Sequence, residues 1–156
     1  MRAPAPRIDA PPRCGFSLLD MLVALAATAI VAAVALPSYQ QAVRKSRRAD
    51  AIQALSAVLQ AQERWRGQHD AYADDLADLG LSAAPPGGRY ELELTGIGSP
   101  PGFAYGFEIQ ARPLTGSGQD KDGECNEMAI RLQGGSIAYR STDTEGSDTA
   151  SRCWPR

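Results

Sequence analysis

One carboxylate, Asp20, sits in an otherwise uncharged run, "FSLLDMLVALAATAIVAAVAL", from Phe16 to Leu36. A charge at the centre of a bilayer costs about 2.5–3.5 kcal/mol on insertion scales, so an acid in such a run is a functional candidate by default. Asp20 lies near one end, where the cost is lower and the positive end of a helix dipole favours an acid. The other residues able to do chemistry are few. His69 is the single histidine and stands beside Asp70. A Ser-His-Asp mechanism would need it, but no G-x-S-x-G nucleophile motif accompanies it, and it reads as a surface loop residue. "DKDGE", Asp120 to Glu124, has the alternating carboxylates and glycine of a partial calcium loop. The further acids and distal glutamate of a full EF-hand loop are missing, so it reads as a polar turn before a strand. No catalytic residue, metal site or cofactor is expected, and the chain is read as no enzyme. Trp65 and Trp154 read as packing residues.

Three cysteines are present, Cys14, Cys125 and Cys153. Residues 1–15, "MRAPAPRIDAPPRCG", are rich in proline and arginine, and no apolar face can be drawn on them. They read as a short, basic, disposable leader. Its loss would leave Cys125 and Cys153 as an even pair, for which a disulfide in an oxidising compartment is expected, the alternative being two free buried thiols. A loop of that length gives about 3–4 kcal/mol in the chain-entropy account. Charge shifts as well. The whole chain has 16 basic and 18 acidic side chains. Without Arg2, Arg7, Arg13 and Asp9 the remainder has 13 and 17, a formal net of −4. An acidic body argues against nucleic acid as a partner, a local basic patch aside.

The elements that position these residues follow from periodicity. The apolar run would span about 31 Å as a helix, which matches a bilayer core. It starts too far in for a plain signal peptide, although its small-residue end keeps ordinary secretion as a rival. A helix is expected over 16–66, with Pro37 as a kink or weak point. Its second half places Ala51, Ile52, Leu55, Val58, Leu59 and Trp65 on one side, against Asp50, Gln53, Gln60, Glu63 and Arg64. A loop follows over 67–88, where Tyr72, Leu76, Leu79 and Leu81 suggest a short helical turn. Three alternating segments then read as strands: "RYELELTG" with Tyr90, Leu92 and Leu94; "FAYGFEIQA" with Phe103, Tyr105, Phe107 and Ile109; and "MAIRLQGGSIAYR" with Met128, Ile130 and Leu132, then Ile137 and Tyr139 after a Gly134-Gly135 turn. An α+β fold is expected, with a long N-terminal helix packed on a three- to four-stranded antiparallel sheet.

Gly15-Phe16 followed by "SLLDMLVALAATAIVAAVALPSYQ" resembles the type IV pilin family. Precursors in that family carry a glycine, then an aromatic residue, then an apolar helix with an acid at its fifth position, here Asp20. Pro37, Ser38 and Tyr39 match the continuation. The late cysteine pair, "GQDKDGEC" before a strand and the terminal "CW" are similar to minor pilins of the PilE type. The resemblance implies a leader over 1–15, an assembly and membrane helix over 16–37 and a globular pilin domain over 38–156. It implies cleavage between Gly15 and Phe16 by a membrane peptidase that also methylates the new amine of Phe16. That amine and Asp20 would then share a helix face, within one chain or between neighbouring subunits. The family's usual acid is Glu, one methylene longer.

The implied function is a structural minor pilin, assembled into or priming a type IV pilus, with adhesion, twitching motility and DNA uptake as its settings. The implied partners are other pilin subunits, the prepilin peptidase and the inner-membrane assembly machinery. The implied location is the bacterial inner membrane, single pass with the sheet domain outside the cytoplasm, and then the extracellular pilus. Arg44, Lys45, Arg47 and Arg48 after the run outnumber Arg2, Arg7 and Arg13 before it, which taken alone points the other way; the cysteines and the resemblance outweigh that difference. The alternatives are a pseudopilin of type II secretion and a DNA-receptor competence pilin.

Overall fold

The computed structural model of the protein describes residues 17–155. They fall into two compact units, one reaching to Tyr39 and the other starting at Gln40. Helix α1, Leu18–Arg66, contributes to both.

In the first unit, α1 opens at Leu18, later than the periodicity predicts, because Ser17 takes the N-cap place. Its Oγ accepts from the Leu19 N–H at 3.3 Å, and its carbonyl accepts from the Asp20 N–H at 3.0 Å. Such a cap satisfies one of the donors that a helix start leaves free. Asp20 lies in this first turn. The apolar side chains that follow are exposed, with Leu18 78%, Ile30 68% and Val34 71% accessible. The helix is long and apolar enough to cross a membrane. Pro37 sits inside it and can donate no backbone bond, while the Ser38 hydroxyl donates to the Ala35 carbonyl at 2.9 Å.

The second unit is built on an antiparallel sheet in the order β1-β2-β3-β4: β1 Tyr90–Ile97, β2 Gly102–Pro113, β3 Glu127–Gln133 and β4 Ser136–Thr142. The β3–β4 hairpin turns through Gly134 and Gly135 at φ 56° and 81°, the left-handed pair that a two-residue turn needs. One sheet face supplies Tyr90, Leu92, Phe107, Ile109, Met128, Ile130 and Leu132 to a core whose helical side is Ala51, Leu55 and Val58. Each large side chain buried there contributes about 1.5–3 kcal/mol of transfer free energy. A short helix, α2 Ala150–Cys153, follows β4.

Two expectations change. Tyr105 should share a face with Phe107, yet it is 82% exposed. The β1–β2 register breaks there: Gly96 pairs with Phe107 but Ile97 pairs with Gly102, so strict alternation fails between them. Ile137 and Tyr139 pair with Leu132 and Ile130, but on the edge strand they stay 46% and 52% exposed. The 67–88 segment is a loop with the expected turn, over residues 76–80: Leu79 and Leu81 N–H groups both donate to the Leu76 carbonyl, at 3.2 and 2.9 Å, and the turn drives Leu76 into the core.

That segment is pinned by a side chain the apolar pattern misses. Gln62 is fully buried on α1. Its Nε2 donates to the Ala73 carbonyl at 2.8 Å, and its Oε1 accepts from the Ala73 N–H at 2.9 Å. Gln62→Leu strands both backbone groups. The expected result is a loss of about 2–4 kcal/mol in chemical denaturation, with hydrogen exchange rising first around Ala73.

Candidate functional site

The polar turn of Asp120 to Glu124 is where the sheet domain takes hold of its helix. Arg48 projects from α1 at the position one turn before Ala51, so it lies on the same stripe that carries Leu55 and Val58 into the core. It is 6% exposed. Its Nε and Nη2 donate to the two carboxylate oxygens of Asp122 at 2.7 and 2.8 Å, and Nη2 also donates to Glu124 Oε2 at 2.9 Å. A two-point guanidinium–carboxylate fork of this kind fixes orientation as well as distance. Those carboxylates and burial act oppositely on Arg48, and the Asp122 bond dominates, so its pKa is raised. Gln119, fully buried, donates from Nε2 to Asp122 Oδ2 at 2.8 Å and to the Arg44 carbonyl at 3.1 Å. Arg44 returns a bond to the Lys121 carbonyl at 3.0 Å. The two carboxylates best placed for a cation are thus engaged by a guanidinium. Asp120 is turned elsewhere, accepting from the Gly116 N–H at 2.9 Å, and this backbone bond holds its carboxyl below the usual range.

The segment after the clasp is locked by the cysteines. Cys125 and Cys153 form a disulfide with Cα atoms 5.9 Å apart. Just before α2, the Thr149 N–H donates to the Ser141 carbonyl at 2.8 Å, and the Ser141 hydroxyl donates to the Glu127 carbonyl at 2.8 Å. Trp154 packs on this closure: its Nε1 donates to the Arg140 carbonyl at 2.9 Å, and its ring lies 4.8 Å from that of Tyr139. Clasp and disulfide converge because Glu124, adjacent to Cys125, also lies 3.6 Å from Arg152.

Residues 37–129 match the family described as type IV minor pilin ComP, DNA uptake sequence receptor. The chain belongs to that family of type IV minor pilins. Over 76 residues this pilin is 30% identical to the type IV major pilin protein PilA of Myxococcus xanthus (strain DK1622), a stretch covering 49% of this chain and 34% of the relative. The match therefore spans about a third of that relative's length. No solved structure matches significantly.

The other residues singled out by sequence fall as follows in the minor pilin. Gly15 and Phe16, the implied cleavage and methylation positions, lie outside the described residues. Asp20 is exposed in the first turn of α1, and Pro37 lies far along the same helix. His69 does no visible chemistry: its ring stacks on Trp65 at 3.8 Å, and Nδ1 lies 2.9 Å from the Trp65 carbonyl at the end of α1. Arg48 enters the sequence reading only as one of the basic cluster after the apolar run, and Gln119 does not enter it. The available signal was spacing, since Arg48, Ala51, Leu55, Val58 and Gln62 form one uninterrupted helical stripe with polar residues at its two ends.

Breaking a buried ion pair from one side leaves the other charge stranded. Arg48→Met is expected to cost about 3–5 kcal/mol in equilibrium unfolding, and adding Asp122→Leu should recover most of that loss. No recovery in the double variant would mean the pair acts through something other than mutual neutralisation. A second test uses Tyr90, whose buried Oη has no hydrogen-bond partner among the described residues. Burial, with the Asp122 carboxylate adding to it, pushes the phenol up to about 12. Its protonated form is thus favoured by folding, so its contribution is intact below about 10 and is lost as pH rises towards about 12. Tyr90→Phe should leave neutral-pH stability within about 1 kcal/mol of wild type and flatten the alkaline fall in melting temperature.

Proposed function

We propose that this minor pilin is made as a precursor, cut between Gly15 and Phe16, methylated on Phe16, held in the inner membrane by α1, and then incorporated into a type IV pilus as a structural subunit. The observation that carries the reading is the apolar stretch from Leu18 to Leu36. It is exposed along its length, and its single charge, Asp20, falls in the first helical turn. A stretch of that kind needs lipid or other apolar helices around it. In a packed filament interior Asp20 would need a cation, and the amine of a processed Phe16 is the nearest candidate by sequence. The family membership supports the same assignment. The partners on this reading are neighbouring pilin subunits, the processing peptidase and the inner-membrane assembly machinery. The sheet domain lies outside the cytoplasm, where its disulfide is stable.

The test uses the intact gene product in cells. Mass spectrometry of the mature chain should find Phe16 at its N-terminus carrying one methyl group. Asp20→Ala should still be cleaved but reach sheared filaments at a small fraction of the wild-type amount, and Asp20→Glu should restore it. Full incorporation of the alanine variant would remove Asp20 from assembly.

A second reading is favoured by the family's own description, DNA uptake sequence receptor. On it, this subunit would contact DNA from the filament surface. The net negative body weighs against diffuse attraction, so any such contact has to be local. Binding of duplex DNA that weakens steeply with salt would support this role.

A further inference from the structure

The clasp leaves a groove beside it. On one wall are Lys45, Arg48 and Ile52 of α1, and on the other Arg152, Trp154 and Pro155 of the C-terminal segment, around a volume of about 510 Å³. Among the described residues three cationic side chains line it and no carboxylate does. The nearest acids are already engaged. Asp122 is 4% exposed and forked onto Arg48, and Glu124 lies between Arg48 at 2.9 Å and Arg152 at 3.6 Å. Arg48 is consumed by this pairing, but Lys45 is exposed with no ion pair among the described residues, and Arg152 is 58% exposed at a long contact. Arg44, next to Lys45 in the chain, donates from Nη1 to the Lys121 main-chain carbonyl at 3.0 Å. The chain is acidic overall, so this concentration of cations beside a neutralised pair is a local reversal of sign.

The groove has a second property. The Trp154 ring is half-buried and held from two sides, by its Nε1 bond to the Arg140 carbonyl and by the Tyr139 ring at 4.8 Å. Its orientation is fixed before any ligand arrives. Positive side chains flanking a pre-set aromatic surface suit a polymer with regularly spaced phosphates and flat or apolar faces between them.

We propose that this groove is where the pilin holds the phosphate backbone of DNA, with Lys45 and Arg152 on adjacent phosphates and Trp154 against the sugar or base face between them. The proposal rests on the DNA-receptor reading and adds the surface to it. Arg48 is a positioning residue here: it offsets one of the two negative charges of Asp122 and Glu124 and holds the Asp122 carboxylate buried beneath the groove.

The test measures fluorescence anisotropy of labelled duplex DNA with the full chain held in nanodiscs of zwitterionic lipid. Lys45→Glu and Arg64→Glu make the same charge change, and Arg64 lies exposed at the other end of α1. Lys45→Glu should weaken binding about tenfold more than Arg64→Glu, and Lys45→Glu with Arg152→Glu should lower the salt slope by about 2. In a Trp65→Phe background, DNA should quench the remaining Trp154 fluorescence. Circular dichroism melting of each variant should match wild type, since neither Lys45 nor Arg152 is buried. Wild type that binds no DNA overturns the receptor reading and the groove with it. Wild type that binds, with Lys45→Glu no weaker than Arg64→Glu, leaves the receptor reading standing and overturns the groove. Capture by phosphatidylglycerol vesicles without DNA binding would assign the same cations to a lipid surface and also overturn it.

Discussion

The guanidinium of Arg48 is the constraint on which the sheet domain's geometry depends. An arginine on the buried stripe of a helix is a liability unless two or more carboxylate oxygens meet it in the right plane. Asp122 meets it with both oxygens, and Glu124 meets it from the more exposed side. The helix can therefore lie on the sheet only at the rotation and axial position that deliver Arg48 to this loop. Hydrophobic contact alone is less exacting, because a stripe of Ala51, Leu55 and Val58 would tolerate small slips along the sheet. Specificity here comes from the polar end of the stripe, and adhesion from its apolar middle.

Gln62 does at the other end of the stripe what Arg48 does at the first. It meets a single peptide group, that of Ala73, from both sides. The two polar clamps differ in what they hold. Arg48 secures a loop that leads directly into the disulfide and the C-terminal closure. Gln62 secures the loop that leads from α1 towards β1. With both in place, the two segments lacking regular structure are each tied to a polar end of the buried stripe, and Arg44 and Leu76 add further holds.

This division explains which features the sequence disclosed. The helix, the four strands and the Gly134-Gly135 turn follow from local periodicity, which needs no knowledge of distant residues. The disulfide follows from counting cysteines once residues 1–15 are set aside. The clasp could not be read in this way. "DKDGE" shows carboxylates, which a local reading assigns to solvent or to a metal ion. Their actual cation lies 74 residues upstream in Asp122's case. Polar residues on an amphipathic helix are normally assigned outward, and Arg48 and Gln62 break that rule at the positions where the stripe ends. Tyr105 was misplaced for a different reason: alternation assumes a continuous register, and the β1–β2 ladder breaks beside Gly96.

Net charge misleads in the same manner, by averaging what the fold separates. A formal −4 for the chain after its first fifteen residues describes attraction at long range, yet at physiological salt fields fade over about 8 Å. A phosphate near Lys45 is therefore governed by the groups within about that distance. There the fold has turned Asp122 inward onto Arg48, tied the exposed Glu124 to the same guanidinium, and left Lys45 and Arg152 facing solvent. The ion clasp that fixes the helix on the sheet thus also sets the sign of the neighbouring surface. Loss of Asp122's partner would do more than loosen packing: it would return a negative charge to the edge of the groove. Stability and surface potential are coupled through one guanidinium, so a reduction in both from a change at Arg48 would have a single electrostatic origin.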